Sequence, residues 1–423
     1  MNPQAEELNS ALKKHPSLFP MLSEKGKEIY FPKKGILGQT AEAKGKRINA
    51  TIGSAVRDEG GPMFLQSIKS LVQLPAQDVF PYAPSYGRKD LRETWQKMIV
   101  KKNPSLKTAI SLPVVAAGLT HGLSMAGYLF VDSGDEIILP DRFWGNYNLI
   151  FENAYGAKIT TFPLFSDEGF NAEGLRSCLS KPGEKKIVLL NFPNNPTGYT
   201  PTKEERQEIV SALKEAAQSK KIVVFLDDAY FGLVYENGVE TESPFAWLAD
   251  CHENLLAVKI DGGTKEDYTW GFRIAFITYG IHKGTAESYT ALEDKTAGAI
   301  RGNVSNASHV SQSLLLKGYS SPTYEQEKKE AHGILKRRYD AVRKVLKERD
   351  YSDAFAPLPF NSGYFMCIQL KKADPEKVRK RLLEAYDTGV IKDGNLLRVC
   401  FAAVREADMP TLFENIAKAC KEA

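Results

Sequence analysis

Cysteine is scarce in this chain of 423 residues: five, at positions 178, 251, 367, 400 and 420, odd in number and with no CxxC spacing. That excludes the disulfide framework of a small secreted domain and fits a reducing, cytoplasmic compartment. The six histidines stand alone, with no HExxH or similar cluster, so no metal site is expected. Charge of one sign is also lacking. A surplus of +4, from 56 basic against 52 acidic residues, is too small over this length to recruit nucleic acid or an anionic membrane. Long apolar runs are missing. The most apolar stretch, 118–131, is shorter than a membrane span and is broken by Thr120, His121 and Ser124. The opening MNPQAEELNSALKKH is polar, unlike a secretory leader.

What is present is ordinary for an enzyme: 43% hydrophobic and 26% charged residues, long enough for two or three domains. From about 110 to 280, short apolar runs alternate with helical patterns. The runs are 112–116, 136–140, 158–162, 187–191, 222–227, 255–260 and 273–278. Several, such as IVLLN and IVVFLDD, are apolar on both faces, as strands of a covered parallel sheet must be. Between two of them, 202–219 opens with Thr-Lys-Glu-Glu and carries Ile209, Leu213 and Ala216 at helical spacing, a crossover helix with a capping box. The pattern is βαβ, and its chemistry belongs at the carboxyl ends of the strands. Beyond it, 323–349 predicts a long helix with Ile334, Leu335, Tyr339, Val342, Val345 and Leu346 on one face and Arg337 and Arg338 on a solvated one. Strand-like 363–370 and 395–401 and a final helix from about 407 complete a smaller α+β unit.

Four segments at predicted strand ends carry chemistry. Phe192 and Pro193 lead into Asn194-Asn195-Pro196-Thr197-Gly198, which taken alone is a turn. Asp227-Asp228-Ala229-Tyr230 follows the next strand, where acids commonly cap helices. Asp261-Gly262-Gly263-Thr264-Lys265 follows another, with Arg273 eight positions later. Finally Leu396-Leu397-Arg398-Val399-Cys400-Phe401 sets one arginine inside an apolar strand. Buried there it needs an anionic partner, and no acid is close to it in sequence.

In this order the four resemble the class I aminotransferases, pyridoxal-phosphate enzymes of fold type I, over nearly the whole chain from about Ile36. The resemblance implies an α/β fold with a large, doubly wound, mostly parallel sheet domain at 61–330. A smaller α+β domain would come from both chain ends, 1–60 and 331–423. It implies that Lys265 holds pyridoxal 5′-phosphate as an internal Schiff base and, once freed, moves protons as general acid and base. Desolvation and a cationic neighbour suit a lysine to both. Asp227, chosen over Asp228 by the family pattern Asp-x-Ala-Tyr, would pair with the ring nitrogen and keep the ring an electron sink. Tyr230 and Asn195 would bond the ring's 3′ oxygen, and Trp144, in PDRFWGN, would stack on the ring. The phosphate would take the backbone N–H groups around Gly118, Leu119 and Thr120, the Thr120 and Thr264 hydroxyls and Arg273. Tyr82, in YAPSYG, would reach it from the neighbouring subunit, so a homodimer with shared active sites is expected. Gly262 stands where family members often carry serine, so one phosphate bond is missing or replaced.

Arg398 would hold the substrate α-carboxylate, helped by Asn195 and the backbone of Gly53. The stretch ILGQT…INATIGSAVRDEGG and the W-G-N at Trp144 resemble aspartate aminotransferases. So does Ala299-Ile300-Arg301, which places Arg301 where those enzymes donate an arginine across the dimer to a distal carboxylate. The segment then departs: Ser-Asn-Ala-Ser-His309 replaces the usual SNPP, and Tyr147 replaces a histidine often found after Trp144. The expected reaction is transamination between aspartate and 2-oxoglutarate through a pyridoxamine form. The alternatives are aromatic or broad-specificity transfer, a lyase or decarboxylase on the same cofactor, and, more remotely, a non-catalytic amino acid sensor. Arg301 as a plain interface arginine also stays open.

Overall fold

A computed structural model of the chain describes residues 1–13, 19–29, 35–70, 74–167 and 169–423. Parts of the unit expected over 1–60 therefore lie outside the described residues. The seven apolar runs form one sheet: β1 (Val114–Ala116), β2 (Glu136–Pro140), β3 (Lys158–Phe162), β4 (Lys185–Leu190), β5 (Lys221–Asp227), β6 (Leu255–Asp261) and β7 (Ala275–Ile281), in the order β1-β7-β6-β5-β4-β2-β3. All neighbours are parallel except those of β7, which runs antiparallel to β1 and β6. After its first residue β5 is buried throughout, which is why its sequence reads as an unbroken apolar run.

Eight helices matter below: α1 (Ile36–Glu42), α2 (Lys89–Lys102), α3 (Leu119–Phe130), α4 (Lys203–Ala217), α5 (Ala286–Asn303), α6 (Tyr324–Glu348), α7 (Pro375–Ala385) and α8 (Met409–Glu422). The capping box at α4 forms as the sequence implies. Thr202 Oγ1 accepts from Glu205 N–H at 3.2 Å, and Glu205 accepts from Thr202 N–H at 2.7 Å.

A second, antiparallel sheet has the order β8-β9-β11-β10, from β8 (Phe355–Pro357), β9 (Phe365–Leu370), β10 (Ile391–Asp393) and β11 (Leu396–Cys400). The front of the chain joins this end of the molecule: residues 48–49 pair in parallel with 388–389. Helix α1 is fastened there twice. The Gln39 side chain donates to Lys392 O at 3.0 Å and accepts from Lys392 N–H at 2.6 Å. Glu42 takes Arg379 of α7 at 2.7 Å.

One expectation for α6 fails. Arg337 is exposed, but Arg338 is 1% exposed and lies on the core stripe, three residues after Leu335 and four before Val342. Its guanidinium donates to Val56 O at 2.6 Å, to Asp58 Oδ1 at 2.8 Å and to Ala402 O. It thus ties the segment after Gly53 to the segment after Arg398. Helical periodicity placed it inside, and three oxygens make that tolerable.

Candidate active site

The ends of β1, β4, β5, β6 and β11 converge on one cleft of about 410 Å³. Its lining includes Leu119, Thr120, Trp144, Asn195, Asp227, Tyr230, Thr264, Lys265, Arg273, Arg398 and Gly53. Ten segments of sequence as far apart as Gly53 and Arg398 are thereby brought together. The turn after β4 can lie against β9 because of Gly198. Its φ is +73°, and a Cβ there would fall on the Phe365 carbonyl oxygen.

Asp227 is buried at the end of β5, and each of its oxygens has a donor. Tyr147 Oη donates to Oδ2 at 2.6 Å and Ala229 N–H to Oδ1 at 3.1 Å. Burial pushes the carboxyl above its ordinary range, against the pull of the Tyr147 hydroxyl and of Lys265. Asn191, beneath it, donates to Asp227 O at 2.7 Å and accepts from Asn195 N–H at 2.8 Å, so β4 and β5 present Asn195 and Asp227 in fixed relation. Asp228 turns the other way, towards Lys259 and Ser243.

The Lys265 amine lies 5.2 Å from the centre of the Tyr230 ring. Its pKa is lowered to about 8, chiefly by burial, against the pull of Asp227 and with help from Arg273. Tyr230 is buried, its ring edge-on to Tyr364 and Phe365, and burial raises its hydroxyl well above the usual range while Arg398 opposes.

At the other end of the cleft, the first turn of α3 leaves amide N–H groups without helical partners. Gly118 precedes it at φ +89°, and a Cβ there would fall on the Arg273 guanidinium, so only glycine lets the two meet. Thr264 lies beside them, buried. A serine does not fit at Gly262: its Cβ would stand 2.8 Å from Ile274 O and 3.0 Å from the Ala275 Cα.

Arg398 is 3% exposed, stacked 4.5 Å over the Phe365 ring. Its two bonds are long, 3.4 Å to Asn195 Oδ1 and 3.3 Å to Thr51 O, and its Nε has no hydrogen-bond partner among the described residues. A buried, underbonded guanidinium facing a cleft has the chemistry to take a carboxylate. The sequence reading missed an acid here. The β10–β11 turn returns Asp393, five positions before Arg398, to where Arg398 and Arg142 both attract its carboxylate.

Tyr82 and Arg301 lie outside this lining. Tyr82 is 92% exposed and Arg301 is exposed on the last turn of α5. Their two segments touch, since Ser85 Oγ donates to Ser305 O at 2.8 Å, and the exposed Phe80 and Val304 belong to them. Residues the sequence reading did not place in the cleft are Ile36 and Thr40 of α1, Asn191, Trp270 and Tyr147. Tyr147 carried a signal, as a departure from a histidine; α1 carried one only as the stretch ILGQT, with no place in the cleft assigned to it.

A family model described as aminotransferase class I and II matches residues 57–416. The chain belongs to that family. It is 27% identical over 245 residues to an aspartate aminotransferase of Bacillus sp. (strain YM-2), 57% of each chain. So the chain spans little more than half the length of that relative. To the mitochondrial aspartate aminotransferase of Xenopus tropicalis it is 25% identical over 395 residues, 89% of this chain and 88% of that one. An aminotransferase structure from Anaerococcus prevotii superposes with a TM-score of 0.83 at 26% identity, covering 94% of this chain and 99% of the other.

Enzymes of this family depend on pyridoxal 5′-phosphate. The cleft fits that group. The Gly118–Arg273 cradle and the α3 N-terminus suit a phosphate, Asp227 suits a protonated ring nitrogen, and an amine of pKa about 8 suits an aldehyde. Among the described residues no helix is long and apolar enough to cross a membrane.

Proposed function

We propose that this aminotransferase moves the amino group of aspartate to 2-oxoglutarate, in two half-reactions at one site. The observation that carries the donor class is Arg301. It stands on an exposed face with Phe80, Tyr82 and Val304, next to the loop that Ser85 fastens, as a residue given to a neighbouring copy would. Arg398 takes the α-carboxylate with Asn195 and Gly53 beside it, and the partner subunit's Arg301 takes the distal one. An arginine in a closed site discriminates strongly against uncharged side chains. The second reading, aromatic or broad specificity, is favoured by Ile36 and Thr40, which give the cleft an uncharged wall.

When bound, pyridoxal 5′-phosphate supplies an electron sink for the carbanion formed at the substrate Cα. Gly118, Leu119, Thr120, Thr264 and Arg273, with Tyr82 of the partner subunit, would hold its phosphate. Asp227 would keep the ring nitrogen protonated, Trp144 would stack on the ring, and Tyr230 and Asn195 would hold its hydroxyl. The Lys265 amine would take the proton from the substrate Cα and afterwards give that proton up; a pKa of about 8 suits it to both near neutral pH. Closure of the small domain, which we assign to 1–60 and 331–423 around a large domain at 61–330, excludes water. A cytoplasmic setting is consistent with five free cysteines.

The test compares donors. Aspartate should convert the enzyme to its amino form with release of oxaloacetate, and 2-oxoglutarate should restore it. Arg301→Leu should cut kcat/KM for aspartate at least a hundredfold and leave an uncharged donor within threefold. Equal losses for both donors would return Arg301 to a plain interface role. Release of carbon dioxide or ammonia instead would replace transfer by a lyase reaction.

A further inference from the structure

Beneath the cleft floor lies a buried ionic group that none of the assignments above uses. Lys259, in the middle of β6, has a side-chain exposure of 0%, and its two partners, Asp228 and Asp261, have 2% and 1%. The ammonium pairs with Asp228 Oδ2 and, at 3.3 Å, with Asp261 Oδ2. Each carboxylate has an outer bond as well. Ser243 Oγ donates to Asp228 at 2.5 Å, and Trp95 Nε1 of α2 donates to Asp261 Oδ1 at 2.9 Å. The Phe231 ring covers the ammonium at 4.7 Å, and Trp95 stacks on Phe276 at 4.3 Å. The two carboxylates outweigh burial and hold Lys259 in its charged form.

Three charges taken out of water cost more than their attraction usually returns, and apolar replacements are often no less stable. Such a group is a poor way to hold a fold together, and its position offers a different use. Asp228 directly follows Asp227. Asp261 begins the turn that reaches Lys265 four residues later. In the parallel register Leu226 stands opposite Lys259 and Asp227 opposite Ile260, while Asp261 stands opposite Phe276 of β7. One ammonium is therefore tied to the ends of both strands that carry the reacting pair.

We propose that Lys259 is a positioning residue for the aminotransferase reaction: through Asp228 and Asp261 it fixes the spacing of Asp227 and Lys265 and so the seat of the cofactor between them. The inference rests on the assignment of Asp227 and Lys265 and is independent of which amino acid is the donor.

The decisive variant is Asp228→Asn/Lys259→Met/Asp261→Asn, which removes all three charges at nearly constant volume and leaves no ion unpaired. Its cofactor-free form should melt at or above the wild-type temperature. It should bind pyridoxal 5′-phosphate at least tenfold more weakly by fluorescence titration, and kcat should fall at least tenfold with the donor KM within twofold. Lys259→Arg, which keeps a cation between the carboxylates, should retain kcat within about threefold. Wild-type cofactor affinity and kcat in the triple variant would overturn the proposal. If the triple variant does not fold, Trp95→Phe and Ser243→Ala decide, each removing one outer bond without changing charge. A kcat reduced about threefold at constant KM supports the proposal, and an unchanged kcat overturns it. Lys265→Ala, measured alongside, tests the assignment beneath it. Retained turnover there would remove Lys265 from the chemistry whatever Lys259 does.

Discussion

Tyr147→Phe removes one hydroxyl and leaves its surroundings in place. The ring stays packed edge-on against Trp144 at 5.6 Å and beside Phe143 and Phe151, so no cavity opens. What disappears is the 2.6 Å bond to Asp227 Oδ2. A hydrogen bond to a charged acceptor contributes about 1.5–3 kcal/mol. Without it the Asp227 carboxyl, already raised by burial, rises further. The same energy lost from its hold on a protonated ring nitrogen weakens the cofactor about ten- to a hundredfold. The assay is fluorescence titration of the cofactor-free variant with pyridoxal 5′-phosphate, with a thermal melt to show that the fold is intact. A dissociation constant within twofold of wild type would refute the reasoning, because it would mean that Asp227 does not need the phenol to stay charged.

Three further outcomes follow from named contacts. Lys265 has a folded pKa of about 8 against an ordinary 10.5, so the unfolded chain binds the extra proton between those values and stability of the cofactor-free protein rises with pH across that window. Lys265→Met should therefore stabilise the cofactor-free protein at pH 7, by up to about 3 kcal/mol, and lose the rise; urea melts at pH 7 and 10 check both, and a less stable variant would contradict it. Gly262→Ser, which restores the family's usual residue, should weaken cofactor binding, since its Cβ meets Ile274 O at 2.8 Å; tighter binding in the same titration would show that the strand ends yield. Arg338→Met leaves Val56 O without its donor, while Ala402 O keeps the Val56 N–H at 3.2 Å, and should cost about 1–3 kcal/mol in a urea melt at unchanged slope, no measurable loss being the contrary result.

The site was legible wherever its residues sit at the end of an apolar strand, because there a polar residue breaks a strong pattern. Asn195, Asp227 and Lys265 have that setting, and Arg398 breaks the pattern from inside a strand. Tyr147 was visible only as an exception to a family habit; nothing in its neighbours announces a bond to a residue 80 positions away. Helix α1 was visible only as the stretch ILGQT, and its place at the cleft was not legible, since Gln39 and Glu42 fasten the helix to β10 and α7, far away in sequence. Arg338 was misplaced because charge outweighed periodicity in the reading, and Asp393 was overlooked because a hairpin turns five positions of sequence into proximity. The face carrying Tyr82 and Arg301 was read through a second copy of the chain, which no periodicity within one chain describes.

The clasp between Gln39 and Lys392 joins residues 353 positions apart, and it sets an order of events during synthesis. A ribosome exposes the strand ends that carry Asp227 and Lys265 well before it exposes Arg398. The 133 residues from Lys265 to Arg398 take about 7 to 27 s at ordinary elongation rates. In that interval the front segment has nothing to pair against, because the partner of 48–49, residues 388–389, is not yet made. The cleft thus cannot close on itself until the segment from 388 to 398 has been added.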